Sequence, residues 1–403
     1  MNDSITDRDI IIVGQQPWDV EIGSNCKNIA VEMSKHNRVL YVNSPLDRIT
    51  KMRHAHEPRI EKRIDVIRHK APSLVQLDAN LWTFYPEKMV ESINWIKSPA
   101  IFNFLNKRNN RIFANSIQRA MDVFGIKAPI LFNDNEIFRG FYLKEMLQAA
   151  VSVYYSRDYL LTVDYWKLHG KRLEPSLIAK SDVCVANSTF LADYCRQYNP
   201  SSYYVGQGCD LEMFSQKAYV QPADMPQTNQ PVIGYVGALQ SLRLDIDLLV
   251  AIATRKPHWT LVLVGPEDDA FRKSQLHQLP NVHFLGAKEP TALPAYIASF
   301  DVCINPQVLN EVTIGNYPRK IDEYLAMGKP VVATKTDFMQ AVFADYTYLC
   351  NSAQTYVDAI EKALQEDSPT LQEKRKTFAA THSWENNVKE IYKAINAVEH
   401  RES

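Results

Sequence analysis

The chain has 403 residues, of which 46% are hydrophobic and 23% are charged, and its formal net charge at pH 7 is -1. This length favours two domains, and the composition is that of a globular protein with a sizeable core. Because the net charge is close to zero, no overall field favours nucleic acid as a partner. No apolar run reaches the ~18 residues needed to span a bilayer, and the acidic N-terminus lacks the layout of a secretory signal. We therefore predict a cytoplasmic protein.

Short apolar runs rich in β-branched residues alternate with helical patterns along both halves of the chain. Strands are predicted at 9–14, 37–43, 128–134, 151–156, 182–187 and 203–208, and then at 231–237, 259–265, 282–286, 301–306 and 329–334. Continuous apolar strands separated by helices are typical of parallel sheets that are covered on both faces. The pattern predicts an α/β protein with doubly wound parallel sheets.

A polar segment with three prolines and no periodicity, residues 216–231, separates the two halves. It predicts an N-terminal domain over 1–215 and a C-terminal domain over 216–384. Residues 385–403 carry Val388, Ile391, Tyr392 and Ile395 at helical spacing. They predict a terminal helix, for which packing back on the N-terminal domain is one arrangement.

The stretch NYPRKIDEYLAMGKPVVAT, residues 316–334, crowds charges into the start of a predicted helix between two predicted strands. Pro318 suits the first turn of that helix, and Gly328 suits its end. Ile321 and Leu325 lie on the face that meets the sheet, and Glu323 points about 200° away from each of them. The charged residues therefore share the face that points away from the core.

The N-terminus of this helix lies outside the carboxyl ends of the strands, where open α/β sheets bind ligands. Its free N–H groups, together with Arg319 and Lys320, suit a phosphate, and the Glu323 carboxylate suits the hydroxyls of a ribose. The alternative interpretation is a solvated charged face.

Several motifs together resemble one family. They are GYVGAL (234–239), LVLVGP (261–266), NVHFLGAKEPTALPAYIASFDVCINP (281–306), PRKIDEYLAMGKPVVAT (318–334), HSWENNV (382–388), GCDLEMF (208–214) and LEPSLIAKSDVCVANSTFLADY (173–194). On these residues the chain resembles the family 4 retaining glycosyltransferases, which have the GT-B fold of two Rossmann-like domains facing a cleft. GQQPWDVEIGSN (14–25) is similar to the subgroup that makes bacterial surface polysaccharides, including the teichuronic acid type.

The resemblance implies a nucleotide-sugar donor, a glycan or lipid-linked acceptor, retention of the anomeric configuration, and no metal or other cofactor. It also reveals a departure from the family, which usually has two glutamates separated by seven residues. The second matches Glu323, whereas the first falls on Gly315, and Glu311 is four residues too early unless a loop returns it. The resemblance therefore implies that Glu323 contacts the nucleotide. It also implies that the carboxylate which lies beside the sugar in the family is missing at Gly315.

The remaining donor-side candidates come from three loops. Arg243 is a candidate for holding the donor diphosphate, as a basic residue near this loop does in the family; a surface arginine is the alternative. Gly237 and Ala238 allow backbone amides to approach a phosphate. Leu285 and Gly286 are expected to border the nucleobase, unless they form an ordinary turn.

Candidates in the first domain follow its predicted strands. Gly23 opens a helix that could meet the donor phosphates, although an ordinary N-terminal cap is the alternative. Gln15, Gln16 and Asp19 are predicted on the acceptor side. Asp158 is a catalytic candidate together with Arg243 and Lys320, unless it is a structural partner of Arg157.

Asp245 and Asp247 form a DxD pair, which binds metal in transferases of another fold. Here the pair lies in a helical pattern, where residues two apart diverge by about 200°, so no metal site is predicted. Fingerprints of dinucleotide, zinc-protease and phosphate-loop sites do not occur in the sequence.

A basic stretch, residues 48–70, has eight Lys or Arg against three acids. It predicts either a solvated helix or a contact with an anionic membrane at its inner face, where a lipid-linked acceptor would reside. Trp95, Phe102 and Phe104 could add to such a contact or belong to the core.

For the whole protein, the alternatives to a glycosyltransferase are a nucleotide-sugar epimerase, a phosphorylase and a catalytically silent nucleotide-binding subunit.

Overall fold

The computed structural model describes residues 4–20, 24–214, 218–311, 313–315 and 317–402, with only the backbone for 401 and 402. The chain divides into two compact units, Met1–Gly208 with Trp384–Ser403, and Cys209–Ser383. We call them unit 1 and unit 2. The divisions predicted from the sequence, 215/216 and 384/385, lie close to the two points at which the chain passes between the units.

Unit 1 is built on an eight-stranded sheet in the order β3-β4-β2-β1-β5-β6-β7-β8. Its strands are β1 (Asp9–Gly14), β2 (Arg38–Asn43), β3 (Leu74–Asp78), β4 (Leu81–Phe84), β5 (Ile130–Asp134), β6 (Val151–Ser156), β7 (Val183–Ala186) and β8 (Ser202–Tyr204). Its helices are α1 (Asn25–Ser34), α2 (Arg48–His54), α3 (Pro58–Ile67), α4 (Pro99–Phe124), α5 (Leu143–Met146), α6 (Asp164–Lys180), α7 (Thr189–Arg196) and α15 (Trp384–Glu402).

The sheet of unit 1 is covered on both faces, which explains its uninterrupted apolar strands. Ile10 and Ile12 pack on one face in the cluster that contains α1 and α15. Ile11 and Val13 point to the other face, where α4 packs. Alternate residues of one strand thus supply two separate cores.

Unit 2 has a six-stranded sheet in the order β11-β10-β9-β12-β13-β14, in which every pairing is parallel. Its strands are β9 (Val232–Val236), β10 (Thr260–Val264), β11 (Val282–Gly286), β12 (Val302–Asn305), β13 (Val331–Thr334) and β14 (Tyr348–Cys350). Its helices are α8 (Ile246–Arg255), α9 (Asp269–Arg272), α10 (Leu293–Ala298), α11 (Arg319–Ala326), α12 (Asp337–Val342), α13 (Ala353–Glu366) and α14 (Pro369–Ala380).

Each predicted strand is present, with ends that differ by at most a few residues. Three short strands, β3, β4 and β14, were missed. β3 pairs antiparallel with β4, so the sheet of unit 1 is mixed and not purely parallel as predicted. β3 lies at the edge and is half exposed, so it lacks the continuous apolar run that identified the other strands. Among the described residues, no helix combines the length and the apolar character that crossing a membrane requires.

Candidate functional site

In unit 2, a cavity of about 430 Å³ opens at the carboxyl edge of the sheet. The chain runs from β9 outward through β10 to β11 and then returns to place β12 on the other side of β9. Ligands of open α/β sheets bind at such a switch point, outside the carboxyl ends of the two strands. The end of β9 and the residues after it, 236–238, line the cavity. Asn305 at the end of β12 and Gln307 after it line the cavity as well.

Helix α11 is held against β9 by its buried face. Ile321, Tyr324 and Leu325 are all buried, and the Tyr324 hydroxyl accepts a hydrogen bond of 2.9 Å from the backbone N–H of Val236. Gly328 follows the helix with a φ of +74°, as predicted for a helix end. The start of α11 is therefore fixed beside the loop that follows β9.

Lys320 reaches from α11 to that loop. Its Nζ donates a hydrogen bond of 2.8 Å to the Tyr235 hydroxyl and lies 4.6 Å from the centre of the Tyr235 ring. Gly237 has a φ of +142°, and a Cβ there would lie 2.9 Å from the Tyr235 hydroxyl and 3.2 Å from Lys320 Nζ. A glycine is needed because any side chain would crowd the ammonium group.

Arg243, Arg319 and Glu323 complete the charged part of the cavity wall. The Nε of Arg319 is buried and makes no hydrogen bond among the described residues. Burial raises the pKa of Glu323 above its ordinary value, and the charges of Arg319 and Lys320 oppose that rise. The cavity wall thus brings together three cationic side chains and the carboxyl group of Glu323. These include the residues predicted from the sequence to contact a phosphate and a ribose.

Asp322 has a role that the sequence pattern did not reveal. It has no exposed surface, and its two oxygens contact His382 Nδ1 at 2.6 Å, the Tyr317 hydroxyl at 2.7 Å and Cys209 Sγ at 3.3 Å. Cys209 and His382 lie at the two ends of unit 2, and Tyr317 lines the cavity. Asp322 therefore anchors the site to the segments where the chain enters and leaves the unit. It is not part of a solvated charged face.

Other donor-side candidates lie elsewhere. Leu285 and Gly286 end β11 and are not among the residues that line the cavity. Glu311 is exposed and does not line it either, so the described part of its loop does not return this carboxylate to the place left by Gly315. Gly23 lies outside the described residues.

Unit 1 also has a switch point, between β1 and β5, and polar side chains gather there. The Asp134 carboxylate accepts a hydrogen bond of 2.7 Å from Arg157 Nε, and Nη1 of the largely buried Arg157 donates a hydrogen bond of 2.9 Å to the Asp158 carboxylate. The Asn135 side chain accepts from the backbone N–H of both Arg157 and Asp158. Gln15 lies at the same edge, with its Oε1 at 3.5 Å from the guanidinium of Arg157. Asp158 is therefore paired with Arg157, while its side chain remains 46% exposed, so its catalytic role stays a prediction.

Gln16 and Asp19 also make contacts within unit 1. The backbone oxygen of Gln16 accepts 2.6 Å from the Tyr41 hydroxyl. Asp19 forms a two-point contact with Arg63, which is almost fully buried, at 3.1 and 3.4 Å. Asp19 thus fixes α3 beside the loop after β1, a structural role that accounts for its position.

The first aspartate of the DxD pair, Asp245, has a structural role at the start of α8. Asp245 caps α8, because its carboxylate accepts 2.9 Å from the backbone N–H of Leu248. Within the described part of the chain, no cluster of three or more His, Cys, Asp or Glu side chains is arranged to hold a metal ion.

Comparisons with known proteins connect this geometry to a family. Residues 230–366, which include all the residues that line the cavity of unit 2, match the family model of glycosyl transferases group 1. The chain is 29% identical over 205 residues to a putative teichuronic acid biosynthesis glycosyltransferase, TuaH of Bacillus subtilis. That match covers 49% of this chain and 51% of TuaH, so the chain spans about half the length of this curated relative.

Solved structures match over nearly the whole chain. HepE of Anabaena in complex with UDP has a TM-score of 0.64 and 15% identity, over 97% of this chain and 100% of HepE. Sucrose-phosphate synthase of Thermosynechococcus elongatus has a TM-score of 0.58 and 16% identity, over 98% of this chain and 97% of that one. The fold is GT-B. The GT-B fold predicted from the sequence is therefore confirmed.

In this GT-B chain, sequence reasoning found most of the charged wall but missed Tyr235, Tyr317 and Asp322. Tyr235 looked like one more apolar strand residue, and Asp322 like one more helix charge. The only sequence signal for Asp322 was its position next to the sheet-facing Ile321.

Proposed function

We propose that the chain transfers a sugar from a nucleotide-sugar donor to a glycan or lipid-linked acceptor in the synthesis of a bacterial surface polysaccharide. The observation that carries the proposal is the cavity of unit 2, where Arg243, Arg319 and Lys320 converge beside Gly237. A diphosphate would satisfy the buried Nε of Arg319, and Glu323 would accept hydrogen bonds from the ribose. HepE, which shares the fold, was solved with UDP and with UDP-glucose.

The chemistry follows from where the charges lie. Cleavage of the donor leaves negative charge on its diphosphate while the sugar becomes cationic, and preorganised cations stabilise the leaving group. In our proposal Arg243 and Lys320 supply that potential. Asp158 of unit 1 is paired with Arg157, and its exposed carboxylate acts on the acceptor side. The diphosphate oxygen of the donor accepts the acceptor proton, with retention at the anomeric carbon.

Thermal unfolding in the presence of nucleoside diphosphates and nucleotide sugars tests the proposal. A ligand that binds only the folded state raises the melting temperature. At a free ligand concentration of about a hundred times Kd, it increases the free energy of unfolding by about 2.7 kcal/mol. We expect one nucleotide family to stand out and its sugar derivative to be transferred or slowly hydrolysed. Donor binding without either reaction would instead support a silent subunit, and NMR of the product would test retention.

We also propose that transfer needs no divalent cation, because the arginine and lysine side chains neutralise the diphosphate. Activity should be unchanged when the enzyme is assayed with excess chelator. A complete loss that added magnesium or manganese restores would show that the metal-free mechanism is wrong.

We also propose that the basic stretch, residues 48–70, contacts an anionic membrane. Helix α2 has no buried residue, Met52 is 75% exposed beside Arg53, and Phe104 of α4 is 72% exposed. Not all of the basic stretch is available, because Arg63 is held by Asp19. Phe102 is fully buried against His169, so it belongs to the core.

Vesicle sedimentation tests this contact. We expect weak binding to anionic vesicles that falls as salt rises, because exposed charges are screened. The variant with Lys51→Gln and Arg53→Gln should bind more weakly, and a control with Lys273→Gln and Lys335→Gln in unit 2 should not. Equal binding to neutral vesicles would contradict the electrostatic contact.

A further inference from the structure

Unit 1 contains a second large cavity, of about 530 Å³, which none of the residues discussed for the donor lines. It lies near the carboxyl edge of the sheet, between the start of α2, the segment before α4, the loop after β5 and the start of α6. Its volume is in the range of ordinary small-molecule sites.

A buried carboxyl group lies in its wall. Glu136 is 1% exposed, and one of its oxygens accepts from the backbone N–H groups of Phe138 at 3.2 Å and Arg139 at 3.1 Å. The other oxygen, Oε2, is buried without a hydrogen bond and lies 3.8 Å from a guanidinium nitrogen of Arg139. Buried carboxylate oxygens are normally hydrogen-bonded, so this one has capacity for a donor from a bound molecule.

Donor groups accompany this acceptor in the cavity wall. The side-chain Nδ2 of Asn94 is buried and faces the Tyr165 hydroxyl, although it makes no hydrogen bond of ordinary geometry with the described residues. Arg139 lies 3.7 Å from Asp47 and 3.8 Å from Glu136, which are ion-pair distances and not hydrogen bonds. A ligand that fits must therefore both donate and accept, as a hydroxyl group does.

Aromatic rings form the outer rim of the cavity. Trp95 is 70% exposed and Tyr165 is 51% exposed, although large aromatic side chains usually bury most of their surface. The indole N–H of Trp95 donates 2.8 Å to the backbone oxygen of Ser92, so the ring orientation is set by a local contact. Its flat face is left available to an apolar surface of a ligand.

The charge of the cavity selects against anions. Among the residues that the structure describes, the charged side chains that line it are one cation, Arg139, and the acids Asp47, Glu91, Glu136 and Asp164. Glu91 is neutralised by Arg48, which lies 2.8 Å away. The three other carboxylates still outnumber the one guanidinium group of Arg139. A phosphate or nucleotide would be repelled, and a purely apolar ligand would leave the buried Oε2 of Glu136 without a hydrogen bond.

We propose that this cavity binds a neutral sugar, whose hydroxyls pair with Glu136, Asn94 and Arg139 and whose C–H face packs on Trp95 and Tyr165. This assignment rests on the proposed transferase function when it identifies the sugar as part of the acceptor. The sugar-binding property itself does not depend on that function.

Saturation-transfer NMR on the full chain tests the inference, with cellobiose and N,N′-diacetylchitobiose as neutral probes and cellobiouronic acid as the anionic probe. We expect at least one neutral probe to bind and the anionic probe to bind less. Trp95→Ala should weaken binding severalfold to about tenfold, and Glu136→Gln about tenfold. Val123→Ala, on an exposed residue of α4 that does not line the cavity, is the control and should have no effect.

The outcomes separate the two proposals. If neither neutral probe binds, or if Trp95→Ala and Glu136→Gln both leave binding unchanged, the sugar site is wrong. Preference for the anionic probe would also overturn it. Titration of the same proteins with UDP reports on unit 2 independently. UDP binding without sugar binding leaves the donor proposal intact, and sugar binding in a chain that binds no nucleotide contradicts only the transferase.

Discussion

Replacing Lys320 with alanine is expected to weaken binding of a nucleoside diphosphate by roughly ten- to a hundredfold, and to leave binding of the free nucleoside nearly unchanged. A hydrogen bond to a charged group contributes about 1.5–3 kcal/mol, which corresponds to this loss of affinity. Lys320 Nζ lies beside Gly237 and is held by the Tyr235 hydroxyl, so its charge points at the loop where a diphosphate would lie. Only the diphosphate presents the group that this ammonium contacts.

Calorimetric titration of both ligands with each variant measures the effect. Lys335→Ala, which removes an exposed lysine of unit 2 outside the cavity, is the matched control. Tyr235→Phe should give a smaller loss, because it frees the ammonium without removing it. If Lys320→Ala weakens nucleoside and nucleoside diphosphate equally, Lys320 shapes the site but does not bind phosphate.

Replacing Glu323 with glutamine is expected to weaken both the nucleoside and the nucleoside diphosphate, again by roughly ten- to a hundredfold. The change keeps the size of the side chain and one acceptor oxygen, and it removes the charge that pairs with the ribose hydroxyls. Glu373→Gln, on an exposed acid of α14, is the control. Melting curves of the same proteins show whether the change acts on the fold.

The raised pKa of Glu323 adds a pH dependence with a defined sign. The folded chain holds this proton more tightly than the unfolded chain, so ionisation of Glu323 opposes folding. Its contribution to the free energy of unfolding falls as pH rises from the ordinary pKa of 4.5 through the raised value. Ligand affinity changes in the opposite direction, because the carboxylate that accepts from ribose is lost as pH falls through the same window.

Glu323→Gln should remove both slopes. If the variant melts far below the wild type yet binds nucleotide normally while folded, Glu323 is a structural residue and the ribose contact is wrong. A pH profile of nucleotide affinity that is unchanged by the substitution leads to the same conclusion.

The strands and the functional helix could be predicted because their signals are local. β1 and β9 are continuous apolar runs, and the alternation of Ile321 and Leu325 with Glu323 shows which face of α11 is buried. Gly237 was predicted to let a backbone amide approach a phosphate, and that role stays a prediction. The structure shows that a side chain at this position would also crowd the ammonium group of Lys320.

The remaining features depend on contacts between residues far apart in the chain. Asp322 is adjacent to Glu323, yet it is buried because Cys209 and His382 fold onto it from positions 113 and 60 residues away. Phe102 and Phe104 look equivalent in the sequence. Phe138 and His169, which are distant in the chain, pack on Phe102 and bury it, whereas Phe104 stays exposed. The spacing of apolar residues along the chain does not show which distant residues will bury a side chain.

By itself, the sequence determined the two α/β domains and the charged start of α11, because these depend on residue type and spacing along one segment. Only the tertiary structure decided which charges are available to a ligand: Lys320 and Arg319 line the cavity of unit 2, whereas Asp19, Asp245 and Asp322 are taken up by structural contacts. The reason is physical. A charged side chain has the same chemistry wherever it lies, and its function depends on whether the fold has already given it a partner.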